Sequence, residues 1–289
     1  MKRSQNRFSG TGKSCLLRPQ TTLIQSRLEH WTQSGRKHWD LFRHLLNPYL
    51  LADATKLVLS NKGSAGIDEV TCEEVRELGW KFIFQLQKKL KAKSYHPKAV
   101  RRVYIPKADG RTRPLGIPTL EDRVVQRALV LLLEPVYEQI FLPSSYGFRP
   151  GKKAVECVAK ASKSIYGHRF VIDADIKGFF DNVSHQKLIG MLNEKIVDPR
   201  ILKLIKEFLK SGFMEEGKNW QSTPEGTPQG GPLSPILANI YLHYVLDSKL
   251  EKVRKDSPRF ELFRYAGIPV ITSGNCRIKH QANMSVSVH

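Results

Sequence analysis

The chain has 289 residues, 40% of them hydrophobic, with a mean hydropathy of −0.36, and its 47 Lys and Arg against 27 Asp and Glu leave a net charge of +20. That is enough apolar material for one large or two modest domains, while the absence of any apolar run of membrane-spanning length argues against a membrane protein. The cationic excess points to a polyanionic partner, nucleic acid first, and the four scattered cysteines, Cys15, Cys72, Cys157 and Cys276, form neither a zinc site nor a disulfide framework, so a reducing compartment fits.

Residues 1 to about 35 are polar, basic and weakly patterned, and lack the apolar stretch of a signal peptide. Gly12-Lys13-Ser14 is not a phosphate loop, because that motif needs a glycine five places before Gly12 and position 7 is Arg. The apolar spacing from Trp39 to Leu59 predicts a helix broken near Pro48. The loop Asn61 to Asp68, with Lys62 and two glycines, suits either a phosphate cradle or a connector. Glu73 to Ala92 predicts one amphipathic helix with a basic end at Lys88, Lys89, Lys91 and Lys93. Val100 to Pro118 predicts a hairpin turning at Ala108-Asp109-Gly110. It carries Arg101, Arg102, Lys107, Arg111 and Arg113, which suit either a solvated basic edge or a clamp on a triphosphate or nucleic-acid backbone.

Thr119, with Asp122 three places on, caps the next helix. Val124 to Leu133 is strongly apolar, Pro135 should kink or end the helix, and Arg123 and Arg127 share one face. A further helix is predicted from Ala154 to Ser164. Phe170 to His185 then reads FVIDADIKGFFDNVSH: a strand whose period of two puts Asp173 and Asp175 on one face, followed by a glycine turn and two large rings. Side-by-side carboxylates are costly without a cation or a hydrogen-bond network, and Asp175 is read as a Mg2+ ligand of a phosphoryl-transfer site. Helices follow from Ser184 to Asn193 and from Arg200 to Lys210. Thr223 to Pro235 is too rich in Gly and Pro for regular structure and places Gln229 where a backbone can approach a ligand closely. Ser234-Pro235 opens a helix to about Lys255.

In order, NKGSAGID, YIPKADGRTRPLGIPTLEDRVVQRAL, YGFRPGKKA, DADIKGFFDNVSH, GTPQGGPLSPILANIYLHYVLD and Phe263-Arg264-Tyr265-Ala266 resemble the reverse transcriptases encoded by group II introns, over about residues 40 to 266. The resemblance implies an α+β fold, the fingers and partial palm of a right-hand polymerase, helix-rich with a small antiparallel sheet. It implies an RNA-directed DNA polymerase acting on intron RNA template, DNA primer and dNTP with Mg2+. Asp175 and the Ile176 carbonyl would hold the metal, and Lys107, Arg113, Phe180 and Gln229 would bind the nucleotide. Lys62, Arg101, Arg102, Arg111, Arg123, Arg127, Arg149 and Lys152 would contact nucleic acid. No membrane is involved, a homodimer is admitted, and the expected place is the bacterial cytoplasm or an organelle.

The chain departs from that pattern at one point. The family continues Tyr-Ala-Asp-Asp, whereas here Tyr265-Ala266 is followed by Gly267-Ile268-Pro269, and the last acidic residue of the sequence is Glu261. Two-metal chemistry needs carboxylates bridging ions roughly 3.5–4 Å apart, so a truncated and inactive copy is expected, or a non-enzymatic, maturase-type RNA-binding fragment. The expected divisions are a basic segment without stable order at 1–38, an N-terminal extension and fingers at 39–165, a partial palm at 166–266, and an unrelated tail at 267–289. The palm sheet is expected to be cut before its central hairpin closes.

Overall fold

A computed structural model describes residues 17–106, 110, 112–176, 178–215, 219–227, 230–256, 260–273 and 285–288. The chain forms two compact units that interleave in sequence. One takes the residues up to Gln139 together with His185–Ser234, and the other takes Ile140–Ser184 together with the residues from Pro235 onward.

The first unit is built around α6 (Leu120–Tyr137), buried along almost its whole length, with Val124, Val125, Leu129, Leu132 and Leu133 fully out of solvent. Thr119 caps it as expected, its hydroxyl accepting from Asp122 N–H at 3.1 Å, and the helix runs through Pro135 and ends two residues later. Against α6 lie α1 (Pro19–Gln33), α2 (Leu41–Leu45) and α3 (Pro48–Ser60). The break at Pro48 is as expected, since Pro at the first helical position needs no N–H partner and Asn47 caps the start. Of the segment 1–38 expected to lack stable order, residues 1–16 lie outside the described residues and Pro19–Gln33 forms α1. Thr21, Ile24, Leu28 and Thr32 recur on one face and are buried, and Arg18 and Thr21 tie that helix to the buried Asp53 at 2.5 and 2.7 Å. The single helix expected over Glu73 to Ala92 is two, α4 (Cys72–Leu78) and α5 (Trp80–Lys91), because Gly79 adopts φ 53° and ends the first.

The expected hairpin is present as β1 (Val100–Pro106) and β2 (Thr112–Ile117), paired antiparallel from Arg101↔Ile117 to Pro106↔Thr112, with the short β4 (Phe213–Met214) parallel to β1 on its other edge. Two further helices of this unit, α8 (His185–Asn193) and α9 (Pro199–Leu209), lie at their expected places.

His38 joins this unit's early and late segments. Its N–H donates to Lys195 O, its carbonyl accepts from Val197 N–H, and its Nε2 meets Thr32 Oγ1 at 2.9 Å. Burial, then the nearby Lys195 and His44 charges, lower its pKa from 6.5 to about 4. The unfolded chain therefore takes up the proton first, and this contribution to stability is complete above pH 6.5 and lost as pH falls toward 4. Urea unfolding at stepped pH is expected to show a loss of at most about 3 kcal/mol across that window, and His38→Gln should flatten it. Equal pH slopes in both proteins would contradict the assignment.

The second unit is a four-stranded sheet in the order β5-β6-β3-β7, all antiparallel: β3 (Phe170–Asp175), β5 (Phe260–Tyr265), β6 (Ile268–Ser273) and β7 (Ser285–Val288). One face packs Ile172, Phe260, Leu262 and Ile271 against Leu250 and Val253 of α11 (Ser248–Asp256). The other carries Phe263, which packs with Tyr146 and with Cys157 and Ala161 of α7 (Ala154–Ile165). The long helix expected from Ser234 forms as α10 (Ser234–Leu242), a π-helical turn over His243–Asp247, and α11.

The hairpin expected to be missing is closed. β5 turns at Ala266-Gly267 into β6, which pairs with β5 from Phe260↔Ser273 to Tyr265↔Ile268 and with β3 from Phe170↔Ser273 to Asp173↔Val270. The residues after Gly267 supply a run of Ile, Val, Ile and Thr, and such β-branched side chains suit a strand flanked on both sides. Pairing with β3 stops beside Pro269, which has no N–H to give.

Candidate functional site

Asp175 ends β3. The strand alternates as expected, with Ile172 and Ala174 buried and Asp173 and Asp175 exposed on the opposite face. The chain then turns at Gly178, which takes φ 60° and whose carbonyl accepts from Asn182 Nδ2 at 2.8 Å. Phe179 is buried and meets Phe180 edge-on at 5.4 Å and Tyr241 of α10 at 6.2 Å, so Phe180 is half-buried and seated on a fixed ring. The Ile176 carbonyl accepts from Phe179 N–H at 3.1 Å, leaving one lone pair for any other partner. On its β7 side Asp175 is paired with Ser285. On its β6 side the pairing of β3 ends at Asp173↔Val270, two residues before Asp175; the same register carried on would set Ile268 opposite Asp175.

A buried network that the sequence reading missed holds the hairpin turn. Arg264 is fully buried on β5. Its Nε and Nη2 grip both carboxylate oxygens of Asp247 at 2.7 Å, Nη1 donates to Asn239 Oδ1 at 3.0 Å and to the Ala266 carbonyl at 2.7 Å, and Nη2 also reaches Ser145 Oγ at 2.6 Å. Asn239 in turn donates to the Gly147 carbonyl at 2.7 Å. The loop Ser144 to Gly147 runs along β5, and a methyl group on Gly147 would lie 2.2 Å from Ala266 N, so only glycine lets loop and turn touch. The available signal was an arginine whose place in the strand alternation puts it on the same face as Phe260 and Leu262. Its partner in the π-helical turn cannot be read from spacing.

The other expected residues of this unit are engaged locally. Arg149 donates to the carbonyls of Leu142 and Ser145 at 2.7 and 2.8 Å and lies over Phe141, and Lys152 lies over the Tyr146 ring.

In the first unit, Arg101 donates to the Ala65 carbonyl at 2.8 Å, and Arg102 sits over Phe213 with Glu215 at 3.9 Å. Arg113 is exposed on β2, opposite Ile105. Arg123 is buried and spends its guanidinium on the carbonyls of Pro118 and Ser64, bracing the Gly63–Gly66 loop, and burial lowers its pKa and that of Arg127. Lys62 is exposed at φ 48°. Lys107, Arg111 and Gln229 lie outside the described residues. The glycines beside Gln229 do permit a close approach, but to the protein's own core: a methyl on Gly230 would meet Gly116 O at 2.2 Å, and one on Gly231 would meet Gln126 Oε1 at 2.4 Å.

The donor set does not fit a two-metal centre. Among the described residues no three His, Cys, Asp or Glu side chains lie together as metal ligands. The turn beside Asp175 carries Gly267 and Ile268, and no acidic residue follows Glu261 anywhere in the sequence. Among the described residues no helix is long and apolar enough to cross a membrane.

Residues 105–284 match the family described as reverse transcriptase (RNA-dependent DNA polymerase), which works with divalent metal ions. The chain is 43% identical over 227 residues to the group II intron-encoded protein LtrA of Lactococcus lactis subsp. cremoris, covering 75% of this chain and 37% of that protein. It is 36% identical over 247 residues to protein YkfC of Escherichia coli (strain K12), covering 81% of this chain and 65% of that protein. The chain thus spans under two thirds of the length of either relative. Among solved structures, a chain of the partial Cas6-RT-Cas1–Cas2 complex shares the fold with a TM-score of 0.51 at 23% identity, over 81% of this chain and 38% of that one. The helix-rich units, their small sheets and the ordered motifs agree with these matches: the chain belongs to the reverse transcriptase (RNA-dependent DNA polymerase) family, among its group II intron-encoded reverse transcriptases and maturases.

Proposed function

We propose that this chain keeps the fingers and palm of a group II intron reverse transcriptase and uses them to hold RNA, without carrying out nucleotidyl transfer. The observation behind this is the closed hairpin whose turn, Ala266-Gly267-Ile268, carries no acid beside Asp175. Polymerase chemistry divides the attacking and leaving oxygens between two ions bridged by carboxylates, and Asp175 alone cannot bridge them from one strand end. The grip on RNA is sequence-tolerant and electrostatic, drawing on the +20 charge. Arg113 and Lys107 on the hairpin would face a triphosphate, Phe180 a sugar, Gln229 a nucleotide, and Lys62, Arg101, Arg102, Arg111, Arg127 and Lys152 a backbone. Intron RNA is the proposed ligand, with a DNA primer, dNTP and a second copy of the chain as the further partners proposed for the same surface.

Two assays on the purified chain test this. Filter binding with a single-stranded RNA is expected to show affinity that falls steeply with salt. Primer extension on an RNA template with Mg2+ or Mn2+ is expected to give no product. Incorporation of dNTP by the unaltered chain would overturn the proposal, as would RNA binding absent at low salt.

A further inference from the structure

We propose that a cleft where the end of α5 meets α9, lined by none of the candidate site residues above, is a track for the phosphodiester backbone of an RNA strand. Two adjoining cavities of about 250 and 540 Å3 share His96, Lys203 and Glu207 and so form one continuous cleft. One wall is α9 and the residue that ends it, where Lys203, Lys206 and Lys210 recur at three- and four-residue intervals and are all exposed. A rise of 1.5 Å per residue spaces their stems by about 4.5 and 6 Å along the axis. The facing wall brings Lys93 and His96, just past the end of α5.

The charge here is only partly compensated. Glu207 is the only acid in the lining, and its carboxylate stands 3.8 Å from His96 Nδ1 and from Lys203 Nζ, both exposed side chains. Arg200 at the other end is committed to Asp198 and Asp40. Lys93, Lys206 and Lys210 have no ionic partner among the described residues. A solvated basic surface needs no concavity. Here cations on two walls converge on a channel, which suits a polyanion lying along it. The wider half, lined by His96, Pro97, Lys203, Lys206, Glu207, Lys210 and Ser211, carries three lysines against one acid. Helical spacing of Lys88 to Lys93 and of Lys203 to Lys210 marks each as a basic face. Only the fold sets the two faces across one channel.

Given the RNA-holding role proposed above, the test is the salt dependence of binding to a labelled single-stranded oligoribonucleotide. It compares the full chain, K203A/K206A/K210A, and K249A/K252A/K255A, which removes the same charge from exposed positions on α11. Each phosphate contact on a single strand contributes about 0.7 to the slope of log affinity against log salt, so the α9 variant is expected to lose about 2 from that slope. The α11 variant should keep the parent slope. Equal slopes in parent and α9 variant would overturn the cleft assignment while leaving RNA binding intact. Equal losses in both variants would mean that net charge, not the cleft, acts. Failure of the parent itself to bind RNA would remove both proposals. Loss of binding to polyglutamate with unchanged RNA slope would reassign the cleft to an acidic protein and overturn the RNA track.

Discussion

Replacing Asp247 by alanine is expected to cost about 3–5 kcal/mol in urea unfolding of the second unit. Both members of the Arg264–Asp247 pair are fully buried, and the pair is held by two 2.7 Å contacts. Removing the carboxylate leaves a guanidinium out of water with only Asn239, Ser145 and the Ala266 carbonyl to accept from it. Desolvation, not the lost attraction, sets the size of the effect, since an uncompensated buried charge is worse than none. Accordingly Arg264→Met combined with Asp247→Leu should recover most of the loss, because an apolar pair of similar volume has no charge to strand. A loss below about 1 kcal/mol for Asp247→Ala would mean that water reaches the pair, in the manner of a surface ion pair.

Carboxylates placed at Gly267 and Ile268 are expected to raise the affinity of the second unit for Mn2+ at least tenfold, about 1.4 kcal/mol or more. A Cβ on Gly267 would meet nothing within 4 Å, its φ is not left-handed, and Ile268 is 48% exposed, so G267D/I268D fits the turn as it stands. Continuing the β3–β6 register past its last pair, Asp173↔Val270, would set position 268 opposite Asp175, and convergent carboxylates gain from a shared hard cation what they lose by mutual repulsion. Titration of Mn2+ by its electron paramagnetic resonance signal reads the affinity directly. Asp175→Asn in the same background should abolish the gain. No gain at all would show that the turn and Asp175 are not neighbours.

Much of the architecture was legible because local signals are strong where they occur. Pro48 marks a helix break, Thr119 marks a helix start, the VRRVYIP and RPLGIP runs mark a hairpin, and the alternation around Asp175 names the exposed face. Three features were not. Gly79 splits a periodic helix through its own backbone angle, which the apolar pattern does not encode. Order in α1 comes from burial against α3 and α6, a tertiary effect invisible in a basic and weakly apolar stretch. The closed hairpin is signalled only by the β-branched run of β6 itself, since the ordered motifs end at Tyr265-Ala266. In the site, the strand-borne acid and its ring neighbours were readable from spacing. The fixing of the turn by Arg264 was not, since its partners come from positions 145, 239 and 247.

The contact between Gly147 and Ala266, together with the arginine beneath it, has a corollary. A backbone touch, a guanidinium and an amide shape the loop tip, and none of them belongs to Gly267 or Ile268. The shape of the tip is therefore set independently of the side chains at Gly267 and Ile268, so what those two positions carry can change while the hairpin keeps its form.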